Sequence, residues 1–467
     1  AVLLKNSDGL LPIAPDKTVC LIGHMAQAMR FQGSGSSFIK PTRLVQPTAA
    51  MADIPYLEAT SADGSIDDGQ IILAKQMAAA HDIAIVTVGL PPVYESEGFD
   101  REHMRLPDGH NELIEEVVKA NPNTVVVLFS GSPVETPWLD QVGALLYMVL
   151  PGQAGGQALH DLLYGHITPS GKLSETWPLI YEDVPSASFY SHGHKDARYR
   201  EGIYVGYRYY DKADVAVRFP FGFGLSYTTF EYARLELNGD YVSFDLTNTG
   251  DYPGAEIVQL YIAPSQTAIH RPKKELKDFK KVFLKPGETR RIEFGLDESY
   301  FSIWHQGSWQ IPGGEYKLLI ASDVSSVELI TEISVPGTII TAPDWQAGSW
   351  YETLQGTPED ADWFKLLGYE YQPEKIIPGQ FDMSHSIAEM KEHSRLMRLA
   401  YWGLKRYIGR TIDQDDEAVY QMMLASSAES SLSSLQVIGQ LRGGLIRSAL
   451  HFANHDLRKG VKALLNR

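Results

Sequence analysis

Ile83-Ala84-Ile85-Val86-Thr87-Val88-Gly89-Leu90, followed after one residue by Pro92-Val93-Tyr94-Glu95-Ser96-Glu97-Gly98-Phe99-Asp100-Arg101, decides how this chain is built. The first run has the length and β-branched content of a strand. Apart from Thr87 it is apolar rather than alternating, so it belongs in a sheet covered on both faces. The second run is a loop that carries three carboxylates within six residues (Glu95, Glu97 and Asp100), a glycine and an arginine. Leu106-Pro107 and a helical pattern over 111–120 follow it. An acidic loop therefore leaves the end of a central strand, where open α/β sheets place ligand chemistry. Two readings remain open for it: a solvated loop in an acidic protein, or carboxylates with a chemical task.

Outward from this passage the same alternation continues. Apolar strands are expected at 19–23, 124–129 and 144–150, and helices at 69–81 and 153–164. Asn121-Pro122-Asn123 breaks the chain between a helix and a strand. Residues 1–227 are thus expected to form an α/β sandwich with a mostly parallel sheet. From about residue 165 a connector rich in glycine and aromatics should wrap it. Over 228–335 the period changes to two: Val242, Phe244 and Leu246 face one way, and Tyr241, Ser243 and Asp245 the other. About seven short strands separated by turn signals such as Asn238-Gly239-Asp240 and Lys285-Pro286-Gly287 predict a β-sandwich. Residues 336–383 read as a linker. Residues 384–467 read as a helical extension, with Leu396, Leu399, Ala400, Leu404, Tyr407 and Ile408, and then Leu432, Leu435, Ile438, Leu441 and Leu445, at helical spacing.

The 467 residues carry a formal charge of −17, which argues against a nucleic-acid partner. The stretch 384–467 has 12 Lys/Arg against 8 Asp/Glu, so the negative excess lies in the body and the helical extension is expected to pack back on it or on a partner domain. Membrane binding is not expected, and no run of about 18 apolar residues exists. The 24 tyrosines and 8 tryptophans suit a sugar ligand as well as β-rich cores. Cys20, the single cysteine, sits in an apolar run and reads as a small buried hydrophobe. The absence of disulfides and of a signal-peptide layout gives a cytoplasmic expectation. Ala1-Val2-Leu3-Leu4-Lys5-Asn6 reads like the middle of a polypeptide, so an upstream segment is expected.

Three segments together resemble glycoside hydrolase family 3: Phe31-Gln32-Gly33-Ser34-Gly35-Ser36-Ser37, then Ser96-Glu97-Gly98-Phe99-Asp100-Arg101 with Leu106-Pro107, then Tyr204-Val205-Gly206-Tyr207-Arg208-Tyr209-Tyr210 with Phe219-Pro220-Phe221-Gly222-Phe223-Gly224-Leu225-Ser226-Tyr227. Leu276-Lys277-Asp278-Phe279-Lys280-Lys281-Val282 resembles the fibronectin-type-III-like domain that follows in that family. The resemblance covers residues 1 to about 335 and leaves the tail without a role. It implies a retaining β-glycosidase, most often a β-glucosidase acting on terminal non-reducing β-D-glucosyl residues of glucosides or oligosaccharides, with no cofactor. It implies Glu97 as general acid/base, with Glu95 as the rival, and Ser36 and Ser34 as substrate-binding or loop-positioning residues. In the family the nucleophilic aspartate lies on an N-terminal TIM barrel, which takes about 250 residues. The chain alone is therefore expected to have no meaningful hydrolytic rate. The alternatives are a non-catalytic carbohydrate-binding or structural module, and a β-xylosidase or arabinosidase of the same family.

No metal is expected. His103, His110, His192 and His194 read as surface-loop histidines, since no carboxylate or cysteine pattern completes a site around His192-Gly193-His194. Gly33-Ser34-Gly35 lacks the lysine and third glycine of a phosphate-binding loop.

Overall fold

A computed structural model describes residues 1–190, 197–372, 375–412, 417–437 and 443–465. The chain opens with β1 (Val2–Asn6), β2 (Val19–Ile22), α1 (Pro47–Ala50), β3 (Tyr56–Leu57) and α2 (Asp68–Ala79). Then come β4 (Ile83–Gly89), α3 (Asp108–Ala120), β5 (Thr124–Phe129), β6 (Ala144–Tyr147) and α4 (Gly155–Leu163). The strands make one sheet in the order β1-β6-β5-β4-β2-β3. Pairing is parallel from β3 through β2, β4 and β5 to β6, and β1 joins β6 antiparallel.

All seven residues of β4 are buried, as its largely apolar run requires, and the one polar residue, Thr87, donates its hydroxyl to the Ile22 and Gly23 carbonyls. Successive side chains of the central strands feed two cores. Ala84, Val86 and Val88 pack with Leu113, Ile114 and Val117 of α3. Ile83 and Ile85 pack with Leu159, Leu162 and Leu163 of α4. Helices therefore cover both faces, and Cys20 is a buried member of the first core. The antiparallel edge strand β1 was not expected from the sequence. Its Val2, Leu3 and Leu4 are apolar but too few to carry a period.

The connector holds β7 (Trp177–Pro178), α5 (Tyr207–Ala213) and β8 (Val217–Phe219). Next come β9 (Phe230–Asn238), β10 (Tyr241–Asn248), β11 (Gly254–Pro264), β12 (Glu275–Leu284) and β13 (Thr289–Gly295). A small hairpin, β14 (Ile303–His305) and β15 (Ser308–Gln310), precedes β16 (Gly314–Ala321) and β17 (Val327–Val335). The sheets β13-β10-β9 and β12-β11-β16-β17 enclose one core in which Val242, Phe244 and Leu246 face Val258, Leu260 and Ile262. This is the sandwich that the period-two pattern predicts.

The stretch read as a linker carries α6 (Trp350–Thr353) and α7 (Asp360–Leu367). Trp350 and Tyr351 of α6 are buried against Tyr204, Tyr209 and Tyr210 of the connector. Tyr351 donates from its hydroxyl to Arg200 O at 2.7 Å. Here aromatic packing fixes a segment whose local sequence offers no period. The extension comprises α8 (Ile387–His393), α9 (Arg395–Thr411), α10 (Glu417–Ala428), α11 (Leu432–Val437), α12 (Gly443–Ala453) and α13 (Leu457–Leu465). Ile438 and Leu441 of the expected helical spacing lie outside the described residues. Among the described residues no helix is long and apolar enough to cross a membrane.

Candidate active site

The sheet grows in one direction from β2 to β3 and in the other from β2 to β4, β5 and β6. Loops that follow β2 and β4 therefore diverge, and a crevice opens between them at the carboxyl ends of the strands. The glycine-serine segment follows β2 and the acidic loop follows β4. The turn Ser130-Gly131-Ser132 follows β5, the next strand over. Parallel pairing thus brings three sequence-distant loops to one edge.

Glu95 is held by all three. Its carboxylate accepts from Gly131 N at 2.9 Å and from the Ser132 hydroxyl at 2.5 Å. The Arg30 guanidinium lies 3.2 Å from Oε2 and is itself almost fully buried. Arg30 also donates to Leu90 O at 2.8 Å and to Glu95 O at 2.5 Å. Burial lowers the pKa of Arg30, and the neighbouring Glu95 charge opposes that fall. Arg101 completes the arrangement by donating to the Ser132 hydroxyl at 2.8 Å and to Pro133 O at 3.0 Å. The rival carboxylate is thus an anchor whose oxygens are taken up by the protein.

Glu97, two residues on, is exposed at the tip of the same loop. It crosses Gly35, the centre of the glycine-serine segment. A Cβ placed on Gly35 would stand 2.5 Å from both Cβ and Oε2 of Glu97, and Gly35 has φ +81°. Both constraints call for glycine. Ser34 is half-buried and lines a cleft of about 260 Å3 with His24, Phe31 and Phe38. Ser36 occupies the single helical turn at Gly35–Ser37, and its side chain lies outside the described residues. Asp100 accepts from the Tyr190 hydroxyl at 3.1 Å.

The second flank of the loop is covered by the extension. A Cβ on Gly98, which has φ +94°, would lie 3.1 Å from Cα of Met422 in α10, and Met422 Sδ would be 3.0 Å from a Cβ on Gly35. Arg30 and Ser132 escaped the sequence reading although both sit next to quoted motifs. An arginine between Met29 and Phe31 was the available signal. Nothing in the sequence points to Met422.

The expectation for His110 is corrected. It lies in the first turn of α3 and is 1 % exposed, because α3 packs its apolar side on β4. Burial lowers its pKa to about 4. The pair His192 and His194 lies outside the described residues. Away from the acidic loop, His160, Asp161 and His166 bring ligand atoms within 4.8 Å of one another at the end of α4. Both imidazoles lie 3.3 Å from Asp161 Oδ1.

Residues 1–227 match the glycosyl hydrolase family 3 C-terminal domain, and residues 256–324 match the fibronectin type III-like domain. The thermostable beta-glucosidase B of Acetivibrio thermocellus is 42 % identical over 356 residues, which is 72 % of this chain and 47 % of that protein. The exo-alpha-(1->6)-L-arabinopyranosidase of Bifidobacterium breve is 37 % identical over 380 residues, 75 % of this chain and 49 % of that protein. The chain thus spans about half the length of these curated relatives. The crystal structure of the Bifidobacterium adolescentis GH3 beta-glucosidase superposes with a TM-score of 0.68 at 37 % identity, covering 75 % of this chain and 54 % of the other. That of the Kluyveromyces marxianus beta-glucosidase with glucose gives 0.68 at 27 % identity, covering 72 % and 60 %.

Proposed function

This chain belongs to glycoside hydrolase family 3, as its C-terminal and fibronectin type III-like domains, and from that premise we propose that it is the acid/base-bearing part of a retaining β-glycosidase acting on terminal β-D-glucosyl residues. The observation that carries the proposal is the division of labour between two carboxylates on one loop. Glu95 is bonded to Arg30, Gly131 and Ser132 and is half-buried, and Glu97 is exposed and lies over Gly35 at the crevice.

In this reading Glu97 gives its proton to the glycosidic oxygen while a carboxylate from a separate N-terminal barrel attacks the anomeric carbon. The glycosidic bond breaks and the aglycone leaves as an alcohol. The Glu97 carboxylate then takes a proton from water, whose oxygen displaces the enzyme carboxylate and frees the sugar. Retention requires the two carboxyl groups about 5–5.5 Å apart, so Glu97 has to reach out from its own domain. An exposed position at a loop tip allows that reach.

The test is Glu97→Ala in the enzyme that includes the barrel. General acid/base catalysis contributes about 10²–10⁴-fold, so hydrolysis of an unactivated glucoside should fall by at least about 100-fold. Azide should restore part of the rate on a substrate with a good leaving group and yield the glycosyl azide. An unchanged rate would move the role away from Glu97. The similarity to an arabinopyranosidase favours a second reading, in which the sugar is a pentopyranose; rates on paired aryl β-glucoside and aryl arabinopyranoside substrates separate the two.

A further inference from the structure

We propose that His160, Asp161 and His166 form a binding site for one zinc-class divalent ion at the C-terminal end of α4. Each side chain brings one ligand atom within 4.8 Å of the other two, and among the described residues no other three His, Cys, Asp or Glu side chains converge in this way. Two imidazole nitrogens and one carboxylate oxygen are a donor set for borderline metals such as Zn2+ and Co2+, and a poor one for Mg2+ or Ca2+.

The spacing fits a metal better than it fits hydrogen bonding. Nδ1 of His160 and Nδ1 of His166 each lie 3.3 Å from Asp161 Oδ1. A hydrogen bond from an imidazolium to a carboxylate measures about 2.7–2.9 Å. A tetrahedral ion with bonds of about 2.0–2.1 Å separates its ligand atoms by roughly 3.3–3.4 Å. Both nitrogen–oxygen edges therefore have the length that such an ion requires. The third edge, between the imidazoles, is left to His166, whose side chain is 60 % exposed and can turn. The fourth corner falls to water, as at zinc sites with three protein ligands.

The platform beneath these side chains is fixed. The last four carbonyls of α4 all have partners: His160 O accepts from Tyr164 N at 3.1 Å, Asp161 O from Ile167 N at 3.1 Å, Leu162 O from the Tyr227 hydroxyl at 2.8 Å, and Leu163 O from Ile13 N at 2.8 Å. The bond from Ile167 closes a chain reversal that returns His166 over the helix end, which is why it meets His160 and Asp161. Gln157, one turn earlier, donates to Asp161 Oδ1 at 3.0 Å and orients the carboxylate, as outer partners do at metal centres. A cation is also favoured at the C-terminus of a helix. The start of α4 adjoins the segment after β2, through Gly152 N on Phe31 O at 2.8 Å and Gly156 N on Val45 O at 2.9 Å, whereas its end adjoins Ile13, before β2. The site thus lies at the sheet edge opposite the acidic loop, where an ion fastens the end of α4 to the chain entering the connector. It stands whatever the role of Glu97.

Calorimetric titration of ZnCl2 into the chelator-treated 467-residue chain tests this, with His166→Ala and Asp161→Asn as variants. Loss of an outer partner costs about 10–100-fold in metal affinity, so loss of a ligand should raise Kd at least about 100-fold. The wild type should bind one equivalent of Zn2+, each variant should lose that equivalent, and MgCl2 should give no such isotherm. The thermal midpoint should rise with added Zn2+ in the wild type and stay constant in both variants. His166 is exposed, so His166→Ala should match the wild-type midpoint in metal-free buffer, which separates lost binding from lost folding. A wild-type chain that takes up no Zn2+ overturns the inference. So do variants that bind the same equivalent as tightly, because the ion then belongs to other histidines, and so does an equal response to MgCl2.

Discussion

The carboxylate of Glu97 passes so close over Gly35 that a methyl group on the glycine would stand 2.5 Å from its Cβ and from Oε2. Gly35→Ala must therefore displace the carboxylate or the turn, and it also places a Cβ at φ +81°. The turn is a surface feature, so the folded domain should survive. In the enzyme with its barrel, kcat/KM should fall at least about tenfold while the thermal midpoint shifts by only a few degrees. Equal activity in the variant would mean that Glu97 need not lie where it does.

Glu95 and Glu97 should separate cleanly by readout. Glu95→Ala leaves the buried Arg30 guanidinium without its carboxylate, and breaking such a pair costs about 3 kcal/mol or more. Its urea midpoint should drop markedly. Glu97→Gln alters an exposed side chain and should move the midpoint far less while cutting turnover by at least about 100-fold. A stable, inactive Glu95 variant would reverse the two roles.

The α/β layer and the sandwich were legible because their periods are strong. Residues 83–90 hold one polar residue, Thr87, and no charged one, and Val242, Phe244 and Leu246 alternate without a break. The choice of Glu97 over Glu95 came only through a motif, since composition leaves an acidic loop ambiguous. The anchoring of Glu95 was not legible, because it depends on parallel pairing of β4 with β5, which brings Gly131 and Ser132 to a residue 36 and 37 positions away. The charge of the extension led to the expectation that it packs on the body, but the residues of that contact and the docking of α6 were hidden: Met422 and Trp350 act through contacts with residues far away in sequence, and a periodicity window cannot register such contacts.

The buried His110 makes stability pH-dependent, with a sign that follows from its environment. Burial lowers its folded-state pKa to about 4 from an ordinary 6.5, so the unfolded chain binds the proton first. Stability is intact above about 6.5 and falls as the pH drops towards 4, by about 3 kcal/mol in all. His270, also lowered by burial, acts in the same direction. Glu201 and Glu256, raised by burial, act against it. The measurement is therefore a difference: urea midpoints of wild type and His110→Gln between pH 7 and pH 4.5. The variant should show the shallower acid-side fall, and parallel curves would mean that His110 is not the group responsible.

The attachment of the sandwich to the connector should depend in part on the buried ion pair of Lys172 and Glu256. Lys172 of the connector lies 3.0 Å from Glu256 Oε1 on β11 and donates to Gly224 O at 2.9 Å. Both side chains are almost wholly removed from water. Burial raises the pKa of Glu256, and Lys172 restrains the rise. Lys172→Met leaves the carboxylate buried alone, which costs about 3–5 kcal/mol at neutral pH. A carboxyl group with a raised folded-state pKa is least costly when protonated, so the deficit should shrink as the pH falls from 7 to 5. Replacing both partners removes the stranded charge, and Lys172→Met with Glu256→Gln should recover most of the loss. Chemical denaturation of the wild type, the single variant and the double variant at the two pH values decides the matter. A single variant as stable as the wild type would show that this ion pair does not hold the sandwich to the sheet.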